Sequence, residues 1–170
     1  MRIFLIYSCF AQLFLSTQAI GQLSKDSVTA QANIVGIWQL NTEVLGSGIG
    51  ASFSFFKNGQ FIYSKSSYDE LNPLVSIVGA YYIDNAKLKM KIRQIKQWVG
   101  YKVVASEPAW QSGSFQLDDG KLVTINQNDS DYSSHELTIL TKEKSSVKKI
   151  IKIDSEKYYK VSNDPEKTGN

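Results

Sequence analysis

The sequence predicts an all-β fold: a small antiparallel up-and-down β-barrel of roughly 8–10 strands, closed so that no edge strand is left open. Three observations carry that prediction. From residue 34 onward, short apolar or alternating runs are separated by turn residues at close intervals, the texture of successive hairpins and not of βαβ units. No stretch sustains a 3.6-residue apolar period long enough for a core helix. Asn58-Gly59 stands between two aromatic-rich alternating runs, a strong hairpin signal because both residues tolerate positive φ.

The elements follow in order. Residues 1–21 read as a secretory signal peptide, with Met1-Arg2 as a positive start, an apolar stretch from Ile3 to Leu15, and small residues at Ala19 and Gly21. Gln12, Ser16 and Gln18 leave that stretch short of the ~20 apolar residues of a membrane span. Cleavage is therefore expected, giving an exported protein, periplasmic or secreted, with no stable membrane span. Residues 22–33 are a polar, flexible lead-in. Strands are expected at 35–44, 52–56 and 60–65, then at 75–83, turned by Asp84-Asn85 into 87–95. A separate strand covers 97–105, and 110–117 is expected to pair with 121–126 through Asp118-Asp119-Gly120. Strands at 135–141, 147–153 and 157–161 complete a barrel domain of residues 34–162, followed by a disordered tail at 163–170.

Alternation also assigns faces. Across the Asn58-Gly59 hairpin, Phe53, Phe55, Phe61 and Tyr63 fall on one side, with Ser52, Ser54, Gln60 and Ser64 on the other. In the next hairpin, Tyr81 and Ile83 pair with Leu88 and Met90, leaving Lys87, Lys89 and Lys91 in water. The lysines that crowd the last third of the chain read as a solvated face that discourages edge-to-edge aggregation.

Composition excludes several classes. A net charge of +3 suits neither a nucleic-acid groove nor an acidic-polymer binder. The single cysteine, Cys9, lies in the signal segment, so the mature chain carries no disulfide and depends on its hydrophobic core. A domain of about 150 residues can do so, burying roughly 70% of its unfolded surface.

Gly36-Ile37-Trp38 on the first strand is followed by Phe55-Phe56-Lys57-Asn58-Gly59-Gln60-Phe61, and then by Gly79-Ala80-Tyr81-Tyr82-Ile83-Asp84-Asn85-Ala86-Lys87-Leu88. That order resembles the bacterial lipocalin-like domain proteins, many from Bacteroidetes, over about residues 34–92. The resemblance implies an exported barrel with an apolar ligand space. It also implies structural roles for Gly36 and Trp38. Classical lipocalins pack a late arginine on this tryptophan. Here the only arginine after the signal segment is Arg93, so Trp38 is expected to plug the closed end by packing alone.

Chemistry is sparse. His135 is the only histidine, and no Gly-x-Ser-x-Gly elbow accompanies it, so an exposed strand histidine is expected and not a catalytic base. One histidine and no mature cysteine rule out an ordinary zinc site. The loop at 126–131 offers calcium-like oxygens but lacks the glycine, and carries Leu137 where a bidentate Glu would stand. Asp69-Glu70 and Asp118-Asp119 are turn formers. The sequence thus predicts no enzyme and no cofactor, but a binding protein holding a small hydrophobic molecule among Phe53, Phe55, Phe61, Tyr63, Tyr81, Trp98 and Trp110. The alternative is a cell-envelope interaction module with a filled barrel and its function in the loops, among them the 65–74 loop with Tyr68 and Leu71.

Overall fold

The computed structural model describes residues 31, 33–42, 44, 50–105, 115–128, 131–140 and 149–167. The signal segment, most of the lead-in and Trp110 lie outside those residues. The described chain forms eleven strands: β1 (Gly36–Leu40), β2 (Ser52–Phe55), β3 (Gln60–Ser64), β4 (Leu74–Asp84), β5 (Lys87–Val99), β6 (Lys102–Ala105), β7 (Phe115–Asp118), β8 (Lys121–Asn126), β9 (Ser133–Leu140), β10 (Ile150–Ile153) and β11 (Glu156–Ser162).

Eight of them close an antiparallel up-and-down barrel. β1 to β5 pair in sequence, β5 pairs with β9, β9 to β11 pair in sequence, and β11 returns to β1. The register keeps the expected faces: Phe53 lies opposite Tyr63 and Phe55 opposite Phe61, while Tyr81 faces Met90 and Ile83 faces Leu88. Phe61 also lies opposite Gly79. A side chain there would strike the Phe61 ring and the Lys91 carbonyl, so the glycine makes room for the ring inside the bore.

Turn chemistry differs from expectation at two hairpins. Between β2 and β3 only Gly59 has positive φ, at 79°. Its N–H donates to the Phe56 carbonyl and Phe56 N–H donates to the Gln60 carbonyl, a three-residue loop ending in a left-handed glycine. Between β4 and β5 the two-residue turn is Asn85-Ala86, both left-handed at φ 48° and 61°, one residue later than Asp84-Asn85.

The larger departure is an arm. β5 does not stop at 95 but runs through Lys96 to Val99, pairing there with β8. β6 pairs with β7, not β7 with β8. Val99 faces Lys121, and the same register resumes where Lys102 faces Asp118. The two ladders are thus one ribbon, interrupted where Gly100 (φ 66°) and Asp119 (φ 61°) both turn left-handed. Asp118-Asp119-Gly120 is therefore a kink in the ribbon and not a hairpin end. β8 and β9 both lie antiparallel along β5, β8 ending opposite Gln94 and β9 beginning opposite Met90.

Barrel closure centres on Trp38. Its side chain is fully buried, and Nε1 donates to the Ile34 carbonyl at 2.6 Å, tying the helical residues before β1 to the bore. The Lys160 ammonium from β11 lies 5.2 Å from the ring centroid, a cation–π contact. Trp38 is therefore held by a hydrogen bond and a late cation as well as by packing, and the cation is a lysine where the resemblance leads one to look for arginine. Burial holds Lys160 below its ordinary pKa, with Lys149 adding to the effect.

Gly36 permits the approach. At φ 128°, any side chain on it would strike the Ser162 carbonyl, with the Lys160 Cε 2.8 Å away. Gly36→Ala should lower the unfolding free energy by about 2–4 kcal/mol, combining backbone strain and a steric clash. Gly50→Ala, which meets only ordinary contacts at 3.4 Å and beyond, should stay within about 1 kcal/mol of the parent. Urea unfolding of the two variants checks this, and equal stability would contradict the closure described here.

Candidate functional site

The two ends of the bore are filled differently. Where β1 begins and β11 ends, Trp38, Phe55, Tyr81, Ile83 and Leu88 pack into one cluster. Phe55 and Tyr81 meet edge to face with centroids 4.8 Å apart. The Tyr81 hydroxyl donates to the Phe56 carbonyl at 2.8 Å, and burial raises its pKa well above the ordinary value. This end is solid.

The other end is hollow. A cavity of about 420 Å³ opens there, within the range of ~300–1,000 Å³ usual for small-molecule sites. Phe53, Phe61, Tyr63 and Ile77 line one wall and Met90, Ile92, Ile153 and Tyr158 the other. The rings of Phe53 and Tyr63 stand 5.0 Å apart and tilted, and Tyr158 meets Phe53 edge-on at 5.4 Å. Burial raises the Tyr158 hydroxyl to about 12, with Tyr63, Glu156 and Asp154 adding to the shift.

A polar rim completes the mouth. Ser133 and His135 are two residues apart on β9 and share its inward face. Asp154 and Ser155 form the β10–β11 turn and Glu156 opens β11; Asp154 is left-handed at φ 54°, a conformation aspartate tolerates. Two bonds to Glu136 stitch this turn to β9: Asp154 N–H donates to the Glu136 carbonyl at 2.8 Å, and Glu136 N–H donates to Asp154 Oδ1 at 3.0 Å. His135 Nδ1 lies 2.8 Å from Asp154 Oδ2 and His135 Nε2 lies 2.9 Å from Ser133 Oγ.

Serine, histidine and aspartate thus stand in a row. A carboxylate only accepts, so His135 Nδ1 donates to Asp154. Ser133 Oγ lies 3.0 Å from the Met90 carbonyl. With Nδ1 carrying the proton, the neutral ring turns an accepting Nε2 toward Ser133, whose rotatable hydroxyl reaches both that nitrogen and the Met90 carbonyl. The chain His135 to Ser133 to Met90 anchors the rim to β5.

The residues expected around the ligand are distributed unevenly. Phe53, Phe61 and Tyr63 line the cavity. Phe55 and Tyr81 are buried with Trp38 in the core cluster and do not line the cavity. Trp98 is on the arm, half-exposed, and faces a separate cleft of about 580 Å³ between the 65–73 loop and the ribbon. That cleft is wider than the barrel cavity, but lysine, acidic and turn residues make most of its walls. Trp110 lies outside the described residues. Gly36 and Trp38 sit at the closure.

Sequence reading missed Met90, Ile92, Ser133, Ile153, Asp154, Ser155, Glu156 and Tyr158 as lining residues. The alternation of Ser133 and His135 was a usable signal for one shared face. The position of Asp154 beside them was not, since it depends on how β9 pairs with β10 across residues outside the described set.

Comparison of the chain with protein-family models, with curated proteins and with solved structures finds no match. The site is therefore argued from its own geometry.

The hydrogen bond from His135 is the main cause that holds Asp154 below its ordinary pKa of 3.8; slight burial opposes it, and the Glu136 N–H and the charge of His135 assist. A carboxyl depressed in this way adds stability above its unfolded pKa, and that stability is lost as pH falls through the folded value. The side chain is 54% exposed, so the contribution is small. Between pH 5 and pH 3, urea midpoints of the parent protein should fall more steeply than those of Asp154→Asn. Parallel acid limbs would show that the His135–Asp154 contact contributes nothing.

Proposed function

We propose that the chain is an exported, lipocalin-like binding protein that holds a small apolar molecule in the mouth of its barrel. The observation that carries this reading is the hollow, aromatic-walled end of about 420 Å³ set against a solid opposite end. A barrel that served only as a scaffold would gain stability by filling that space, since each unfilled volume forfeits packing contacts. Export is supported by the charged start, apolar stretch and small residues of segment 1–21. Lipocalin-like kinship is supported by the glycine and tryptophan of β1 and by a cation from the last strand on that tryptophan. The reading includes no reaction.

A second reading, an envelope interaction module, draws on the arm, where Val103 and Phe115 are about half exposed. It accounts for the ribbon but not for the hollow bore.

Native mass spectrometry of the mature protein from its host should show a stoichiometric apolar adduct. Adding back the extracted molecule at a hundredfold its Kd should stabilise the protein by about 2.7 kcal/mol. Ile77→Trp, which places a large ring in the cavity, should abolish that gain. A protein that is isolated empty and that no apolar compound stabilises would contradict the binding reading and favour the interaction module.

A further inference from the structure

The cavity wall is apolar, and its rim carries two carboxylates and one histidine. Asp154 and Glu156 contribute carboxylates to the lining, and no lysine or arginine is among the described residues that line it. Three lysines of the described barrel are engaged elsewhere. Lys160 lies on Trp38 at the solid end. Lys87 pairs with Glu136 at 3.2 Å, and Lys89 donates to Ser134 Oγ on the outer face. Lining the same cavity are Phe53, Tyr63 and Tyr158, with Phe53 packed on the other two rings at centroid separations of 5.0 and 5.4 Å.

We propose that this mouth selects a positively charged apolar molecule, an alkyl or aryl amine, over the matching alcohol or carboxylate. The proposal rests on the binding reading above and names the class of ligand for that same cavity. An ammonium at the rim meets Asp154 and Glu156 as counter-ions, and its first carbons meet aromatic faces, whose quadrupoles attract cations. A fatty acid entering tail-first would leave its carboxylate beside two others in a partly desolvated mouth, where like charges repel more strongly than in open water. A neutral alcohol meets neither effect.

The pairing of Asp154 with His135 does not cancel the acidity of the rim. His135 donates through Nδ1 in its neutral form too, so the pair keeps the negative charge of the carboxylate. Glu156, on the far side of the turn, is exposed and free to swing over an incoming head group.

The test compares three probes of equal chain length, octylamine, octanol and octanoate, by calorimetric titration at pH 8, where alkylamines are charged and alkanoates ionised. The expected order is amine first, bound about tenfold more tightly than the alcohol, a factor within reach of charge-assisted contacts, with the carboxylate weakest. The double variant Asp154→Asn, Glu156→Gln should bring the amine down to the alcohol while leaving the alcohol unchanged. Asparagine suits the left-handed position at 154, and unchanged alcohol affinity reports an intact cavity. If octanol or octanoate binds as tightly as octylamine, or if the amine advantage survives in the double variant, the proposal is overturned and the cavity reading stands. If none of the three binds, both are overturned.

Discussion

The meeting of Gly36, Trp38 and Lys160 is the constraint on which the rest of the structure depends. A meander of hairpins becomes a barrel only if the first strand finds the last, and such closure is the most non-local contact in the fold. β11 reaches β1 because Gly36 offers no side chain to the Ser162 carbonyl. Lys160 then lies over the Trp38 ring, and Trp38 fastens the segment before β1 through Ile34. A slip of one residue in this pairing would turn Trp38 and Tyr158 to the solvent face. The β-bulge between Ile37 and Trp38 sits at the same place and lets β1 bend into the ring.

From that closure the bore divides in two. Large rings and branched side chains at Trp38, Phe55, Tyr81, Ile83 and Leu88 leave no room at one end. At the other end the turn between β10 and β11 is only two residues long, whereas β4 and β5 continue past it into the arm. The wall is therefore low on one side of the mouth and high on the other. The acidic rim lies on the low side, with Asp154 in the turn and Glu156 at the start of β11. The plug and the cavity thus lie at opposite ends of one set of strands, and Gly36, Trp38 and Lys160 do not line the cavity.

Much of the barrel was legible because its hairpins are local. The pairs Phe53–Tyr63, Phe55–Phe61, Tyr81–Met90 and Ile83–Leu88 follow from alternation about a short turn, and both faces of those strands could be read residue by residue. The arm was not legible. Asp118-Asp119-Gly120 has the composition of a hairpin turn, but the same left-handed tolerance serves a kink in a ribbon, and only the distant partners of β7 and β8 tell the two apart. Depth along the bore was hidden for a similar reason. Phe53 and Phe55 share a face, yet one borders the cavity and the other the plug, and that height is set by the stagger of the whole barrel. The lysine on Trp38 was missed because arginine was the residue sought there, while the physical requirement is a cation.

The central claim is that one end of the barrel is solid and the other hollow. Isoleucine methyl groups report on both, and methyl NMR under xenon pressure reads them together, since xenon enters apolar space without regard to head-group chemistry. The account predicts that the methyls of Ile77, Ile92 and Ile153 at the mouth shift with xenon while those of Ile34 and Ile83 at the plug stay in place. Shifts centred on Ile34 and Ile83, or none at any of the five, would contradict it.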